Sequence, residues 1–181
     1  MSKDTVTTNA AFIWSVAELL RGDFKQSEYG KVILPFTVLR RLDCLLEETK
    51  NAVLEMAKSL PPETDEDARF QILAEIATPG GRLYNESSST FARLRDQDPG
   101  QLHKNLVDYI SGFSPNVREI FFEKFEFTDE LKRLNAAGIL YPVFTAFAEI
   151  DLHPETISNL EMGYLFEELI RRFSEISNET A

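Results

Sequence analysis

Along most of this chain apolar residues return at steps of three and four, and each run stops at a proline or a glycine. That pattern fits helices and leaves little room for a sheet. Phe12, Ile13, Val16, Ala17, Leu19 and Leu20 make the first run, with Thr8 or Asn9 as its expected N-cap and Gly22 as its stop. A polar connector, Asp23 to Ser27, separates it from a second run through Val32, Ile33, Phe36, Leu39, Leu42, Leu45 and Leu46. Pro35 sits inside that run. Having no N–H and crowding the previous turn, it predicts a kink or a new helix start. Val53, Leu54, Met56 and Ala57 carry helix on to Pro61-Pro62.

Thr64 is the expected cap of a short helix through Ile72, Leu73 and Ile76. Residues 78–89 hold Pro79, Gly80, Gly81 and three consecutive serines, a loop composition expected to mark an internal boundary and a mobile segment. Helices follow from Pro99-Gly100, from Ser114-Pro115, and from Thr128 with Asp129 and Glu130 at its positive end, Gly138 closing the last of these. Another carries Ile139, Val143, Phe144 and Phe147 as far as His153-Pro154. Ser158 and Glu161 have the spacing of a capping box ahead of the stripe Leu165, Phe166, Leu169, Ile170 and Phe173. The fold class expected is all-α, a multi-helix bundle in which residues 82–85 are the one candidate for a short extended or β piece. One helical domain is expected over residues 1–176, with residues 177–181 starting a linker.

A domain of 181 residues buries roughly 70% of the surface of its unfolded chain, enough for a core without cross-links. The single cysteine, Cys44, excludes an intrachain disulfide framework. The first ten residues lack the basic and apolar regions of a signal peptide, and no apolar stretch reaches the length of a membrane span, so the location expected is the cytoplasm. Charge is divided unevenly. Residues 1–50 hold seven Lys/Arg and seven Asp/Glu, and the remaining 12 and 23 supply the whole net charge of −11. Since DNA affinity depends on cations that release counterions, an acidic body argues against DNA binding by the isolated chain. Any DNA contact is expected in the first fifty residues.

The usual chemical signatures are missing. Gly80-Gly81 is the one adjacent glycine pair, no G-x-G occurs, and neither a strand before it nor a helix after it has the pattern of a nucleotide or methyl-donor loop. Gly30-Lys31 is followed by Val32 and lacks the upstream glycine of a phosphate loop. His103 and His153 are 50 positions apart, too far for a local metal motif, and Cys44 among leucines reads as a small buried residue. Pairs such as Glu167-Glu168 are what 30 acidic side chains produce by chance on solvated faces. No catalytic, cofactor-binding or metal-ligating residue is nominated, and a hydrolase would need a pocket that nothing in the sequence proposes.

Residues 10–50 contain Trp14, then Leu20-Arg21-Gly22, then Ser27 through Asp43 reading S-E-Y-G-K-V-I-L-P-F-T-V-L-R-R-L-D. This block resembles the start of the DNA methyltransferase (HsdM, M) subunits of type I restriction-modification systems. Two later stretches agree with it: NVREIFFEKFEF, and MGYLFEELIRRFSE at Met162 to Glu175. The resemblance is weakest from Pro61 to Gln101. It implies a helical N-terminal domain, followed in the full-length subunit by a catalytic domain that moves methyl from S-adenosyl-methionine to a flipped adenine. The motifs of that catalytic domain are absent, so this chain reads as a fragment with no activity and no cofactor of its own.

The resemblance further implies assembly with a specificity (S) subunit, a second modification subunit and a restriction (R) subunit around DNA. Within the matched block Lys25, Gln26, Tyr29, Lys31, Arg40 and Arg41 are the candidates for DNA-backbone or partner contact. The competing reading pairs Arg40 and Arg41 with Asp43, Glu47 or other acids on a helix surface. A free-standing helical adaptor without enzymatic context is the alternative function.

Overall fold

A computed structural model describes residues 2–180, and its regular structure is helical. The helices in chain order are α1 (Ser2–Ser15), α2 (Ala17–Leu20), α3 (Gly30–Leu46), α4 (Lys50–Ser59), α5 (Glu66–Ala77) and α6 (Phe91–Asp96). They continue with α7 (Leu102–Ser111), α8 (Pro115–Glu119), α9 (Phe127–Ala136), α10 (Leu140–Ala148) and α11 (Asn159–Thr180). Among the described residues β pairing is limited to two isolated bridges, Arg21 with Phe24 and Asn85 with Phe113. The fold is all-α, and the second bridge falls on the segment with extended character. No helix among the described residues is long and apolar enough to cross a membrane.

The chain divides into two compact units, the first made of Met1–Cys44 with Asp129–Ala181 and the second of Leu45–Thr128. In the first unit α1 starts before its expected cap, so Thr8 and Asn9 lie inside the helix. The reason is Val6. It extends the buried set Ala10, Ile13, Ala17 and Leu20 by one more turn, and that apolar face outweighs a local capping preference. α1 packs on α11, where the Trp14 and Phe173 rings lie 5.1 Å apart. Phe36 of α3 stacks on Phe147 of α10 at 5.2 Å.

Pro35 does not interrupt α3. The ladder donor it removes would have served Lys31, an exposed residue in the first turn, where water can take that role. α9 ends as expected at Gly138, whose φ of +75° lets the Ile139 N–H reach back to the Leu134 carbonyl at 3.1 Å. The capping box also forms: the Ser158 N–H donates to Glu161 (3.0 Å) and the Glu161 N–H to Ser158 Oγ (3.2 Å).

In the second unit the cap of α5 is Asp65, not Thr64; its carboxylate accepts from the Ala68 N–H, while the Thr64 hydroxyl turns back to Pro61. A line of buried aromatic rings forms the core, from Phe91 to Tyr109, Phe113, Phe121 and Phe127, each 5.5–6.2 Å from the next. α8 widens after Glu119 into a turn closed by the Phe125 N–H on the Ile120 carbonyl.

The loop at residues 78–89, expected to be a boundary, lies wholly inside the second unit. Tyr84 and Asn85 are buried there. Backbone bonds from Glu86 to Gly112 and from Ser114 to Tyr84 bind the segment to the end of α7. Gly112 permits this approach, because a Cβ there would come within 2.8 Å of Ser87.

Candidate functional site

The six sequence candidates fall in two places in the first unit. Four occupy the turn between α2 and α3 and the first turn of α3. Leu20 ends α2, and its carbonyl accepts from Asp23 and Phe24 N–H groups at 3.2 and 3.0 Å, with Gly22 at φ +93° turning the chain. A single 3₁₀ turn, Gln26–Glu28, then leads to Tyr29, whose carbonyl opens α3 by accepting from Val32 and Ile33. Lys25, Gln26 and Lys31 are exposed on this turn, while Tyr29 is 5% exposed and belongs to the core.

The turn is anchored from α9. Arg133 pairs with Glu28 at 2.5 Å and lies 4.2 Å over the Phe24 ring. That contact holds the Glu28 carboxyl below its ordinary value, with the nearby charges of Lys25 and Lys31 acting in the same direction. Arg133 also approaches Glu130, at 3.6 Å. Glu130 is buried, one of its oxygens has no hydrogen-bond partner among the described residues, and desolvation pushes its carboxyl up despite Arg133. Neither Arg133 nor Glu28 announces this role in the sequence, since 105 positions separate them.

Arg40 and Arg41 are placed differently. Both reach the connection between α10 and α11, residues 149–158. Arg40 donates from Nε to the Ile150 carbonyl (2.8 Å) and from Nη1 to Asp43 (2.9 Å). Arg41 is 8% exposed and donates to the carbonyls of Leu152 (2.8 Å) and Ile157 (2.7 Å) and to Asn159 Oδ1 (2.9 Å). Burial pulls its pKa down from a value so high that it stays charged. Carbonyls outside helices need donors, and a guanidinium supplies several in one plane. In this fold both arginines order the connection between α10 and α11. The carboxylate-pairing alternative describes Arg40 but not Arg41.

Residues 9–147, from inside α1 to the last turn of α10, match the HsdM N-terminal domain. The chain belongs to the HsdM N-terminal domain family, the domain that begins the M subunit of type I restriction-modification systems. No curated protein matches it. The family match includes the anchored turn with Lys25, Gln26 and Lys31 and also includes Arg41. It stops short of the Arg41 acceptors at Leu152, Ile157 and Asn159 and of the whole of α11.

The M subunit's methyl donor can be tested against the glycines of this HsdM-type domain. Gly80 and Gly81 have φ of +85° and +60°, and a Cβ at Gly81 would lie 2.9 Å from the Glu75 carboxylate. The pair closes a turn against its own α5, with no strand feeding it. Such a turn does not fit S-adenosyl-methionine. The buried Cys44 thiol is pushed up by desolvation, the opposite of an activated nucleophile.

Proposed function

We propose that this domain is a non-catalytic assembly module of a type I modification subunit, helping the complex close around DNA. The full-length subunit would methylate adenine with S-adenosyl-methionine, the specificity subunit would choose the site, and the restriction subunit would join the same cytoplasmic assembly. Its own contribution would be contacts through Lys25, Gln26 and Lys31. Support comes from one observation above the others: exposed cations stand together on a turn that is pinned by Arg133 and Glu28. A pinned turn presents its charges without ordering them on contact, which lowers the cost of binding.

The test is charge reversal of Lys25 and Lys31 together in the assembled methyltransferase. If they meet phosphates, DNA affinity falls and the salt dependence flattens by about one unit of slope per lost contact. If they meet a partner subunit, the complex dissociates at higher protein concentration while the salt slope on DNA stays the same. Unchanged DNA binding and unchanged assembly together would overturn the reading. Calorimetry on the isolated chain should show no S-adenosyl-methionine binding. Micromolar binding would favour a different function for the domain.

A further inference from the structure

The second unit contains an open cleft of about 380 Å³ lined by Leu54, Ala57, Lys58, Arg69, Glu86 and Ser88. Leu54, Ala57 and Lys58 follow one another at helical spacing on α4, giving one wall that is apolar with an ammonium at its edge. Arg69 of α5 donates to Glu86 from Nε and Nη2, both at 2.9 Å, a two-pronged pair. Its Nη1 has no acceptor among the described residues, and neither Lys58 Nζ nor the Ser88 hydroxyl has a protein partner there. Three uncommitted donors thus line one cleft. Two cations against one carboxylate leave the lining with a single net positive charge, inside a unit where nine Lys/Arg face 15 Asp/Glu.

That balance selects among anions. A polyanion such as DNA meets a repelling unit, and inorganic phosphate has no use for the Leu54 and Ala57 wall. We propose that the cleft binds a single carboxylate on a short aliphatic stem. The carboxylate would take donors from Lys58, the free edge of Arg69 and Ser88, and the stem would lie on Leu54 and Ala57. Glu86 already occupies half of the Arg69 fork and competes with the incoming anion, so binding should be weak and adjustable.

The whole chain, titrated with hexanoate and followed by methyl NMR, tests this. Saturable shifts at Leu54 and Ala57 are expected in the millimolar range, absent with hexanol and weaker with inorganic phosphate. Lys58→Glu, at an exposed site, should weaken hexanoate binding about tenfold with the rest of the spectrum unchanged. Glu86→Gln should tighten it, because the competing charge is gone. The peptide acetyl-Leu-Glu-Leu-amide distinguishes the source. Tighter binding than hexanoate assigns the cleft to an acidic side chain of a protein partner, and weaker binding assigns it to a free acid. No saturable shift, equal shifts with hexanol or phosphate, or an unaltered response in Lys58→Glu would each overturn the proposal.

Discussion

The connection at residues 149–158 in the first unit and that at residues 78–90 in the second meet the same need with different side chains. Each leaves backbone groups outside any helix, and polar side chains help to bind each to its unit, in the second beside backbone bonds to Gly112 and Ser114. In the first unit the task is met by cations: Arg40 and Arg41 reach three backbone carbonyls and one side-chain amide oxygen between them. In the second it falls to a neutral amide. Asn85 donates to the Tyr109 carbonyl (3.0 Å) and accepts from Lys50 Nζ (3.0 Å) and the Ser87 N–H (2.7 Å). A guanidinium only donates, so it suits a connection that presents oxygens; an amide does both, so Asn85 can take an N–H of its own connection and give one to a carbonyl of α7. The side chain at such a point is set by the backbone groups to be satisfied, not by surface charge.

Substitution separates the two anchors. Arg41→Met should cost about 3 kcal/mol, because it leaves the carbonyls of two fully buried residues, Leu152 and Ile157, without donors. Lys25→Met, at an exposed position, should stay within about 0.5 kcal/mol. Urea unfolding of both variants measures the gap, and equal small effects would return Arg41 to the surface role. Asn85→Ala comes next, at about 2 kcal/mol, since it removes a hydrogen bond from a buried lysine and others from backbone groups. If Asn85→Ala were neutral, the second connection would owe its order to its backbone bonds alone.

A smaller contrast lies around Arg133, where two carboxylates share one guanidinium. Glu28 wins the closer contact and its carboxyl is held below 4.5 by that bond. Its stabilising effect is present above pH 4.5 and is lost as pH falls through the depressed folded value. Glu130 has the reverse sign. Desolvation raises its folded value above 4.5, so its ionisation removes stability as pH climbs from 4.5 through that value. Glu130→Gln should therefore be more stable than the parent at pH 7, with the difference closing below pH 4.5. Urea midpoints over a pH series check this, and a less stable Glu130→Gln at pH 7 would mean that the attraction to Arg133 outweighs burial.

Helical class, the capping box at Ser158 and the stop at Gly138 were legible because they depend on residues within one or two turns. Val6 shows the limit, as one apolar residue lengthened α1 past two good cap residues. The exposed part of the candidate turn was legible from its cations and its place in a family block. The work of Arg40 and Arg41 was not. Their acceptors are carbonyls more than a hundred positions away, and carbonyls are the same in every sequence. The anchor of the turn was hidden for the same reason, since only folding brings Arg133 to Glu28.

The smallest effect concerns a residue with no sequence signal. Glu126, between the widened turn after α8 and the start of α9, has φ of +49°, a region that a side chain with a Cβ enters at a cost. It is exposed, so no packing is lost on removing it. Glu126→Gly relieves the strain but gives the unfolded chain more freedom, and the two terms nearly offset, leaving a net gain of about 0.5 kcal/mol. Glu126→Ala keeps the Cβ and should not share that gain. A melting comparison of the two variants isolates backbone strain from the side chain, because both lack the carboxylate and only one lacks the Cβ. If both were stabilised alike, the cause would be charge in an acidic unit, and the backbone at this junction would be unstrained.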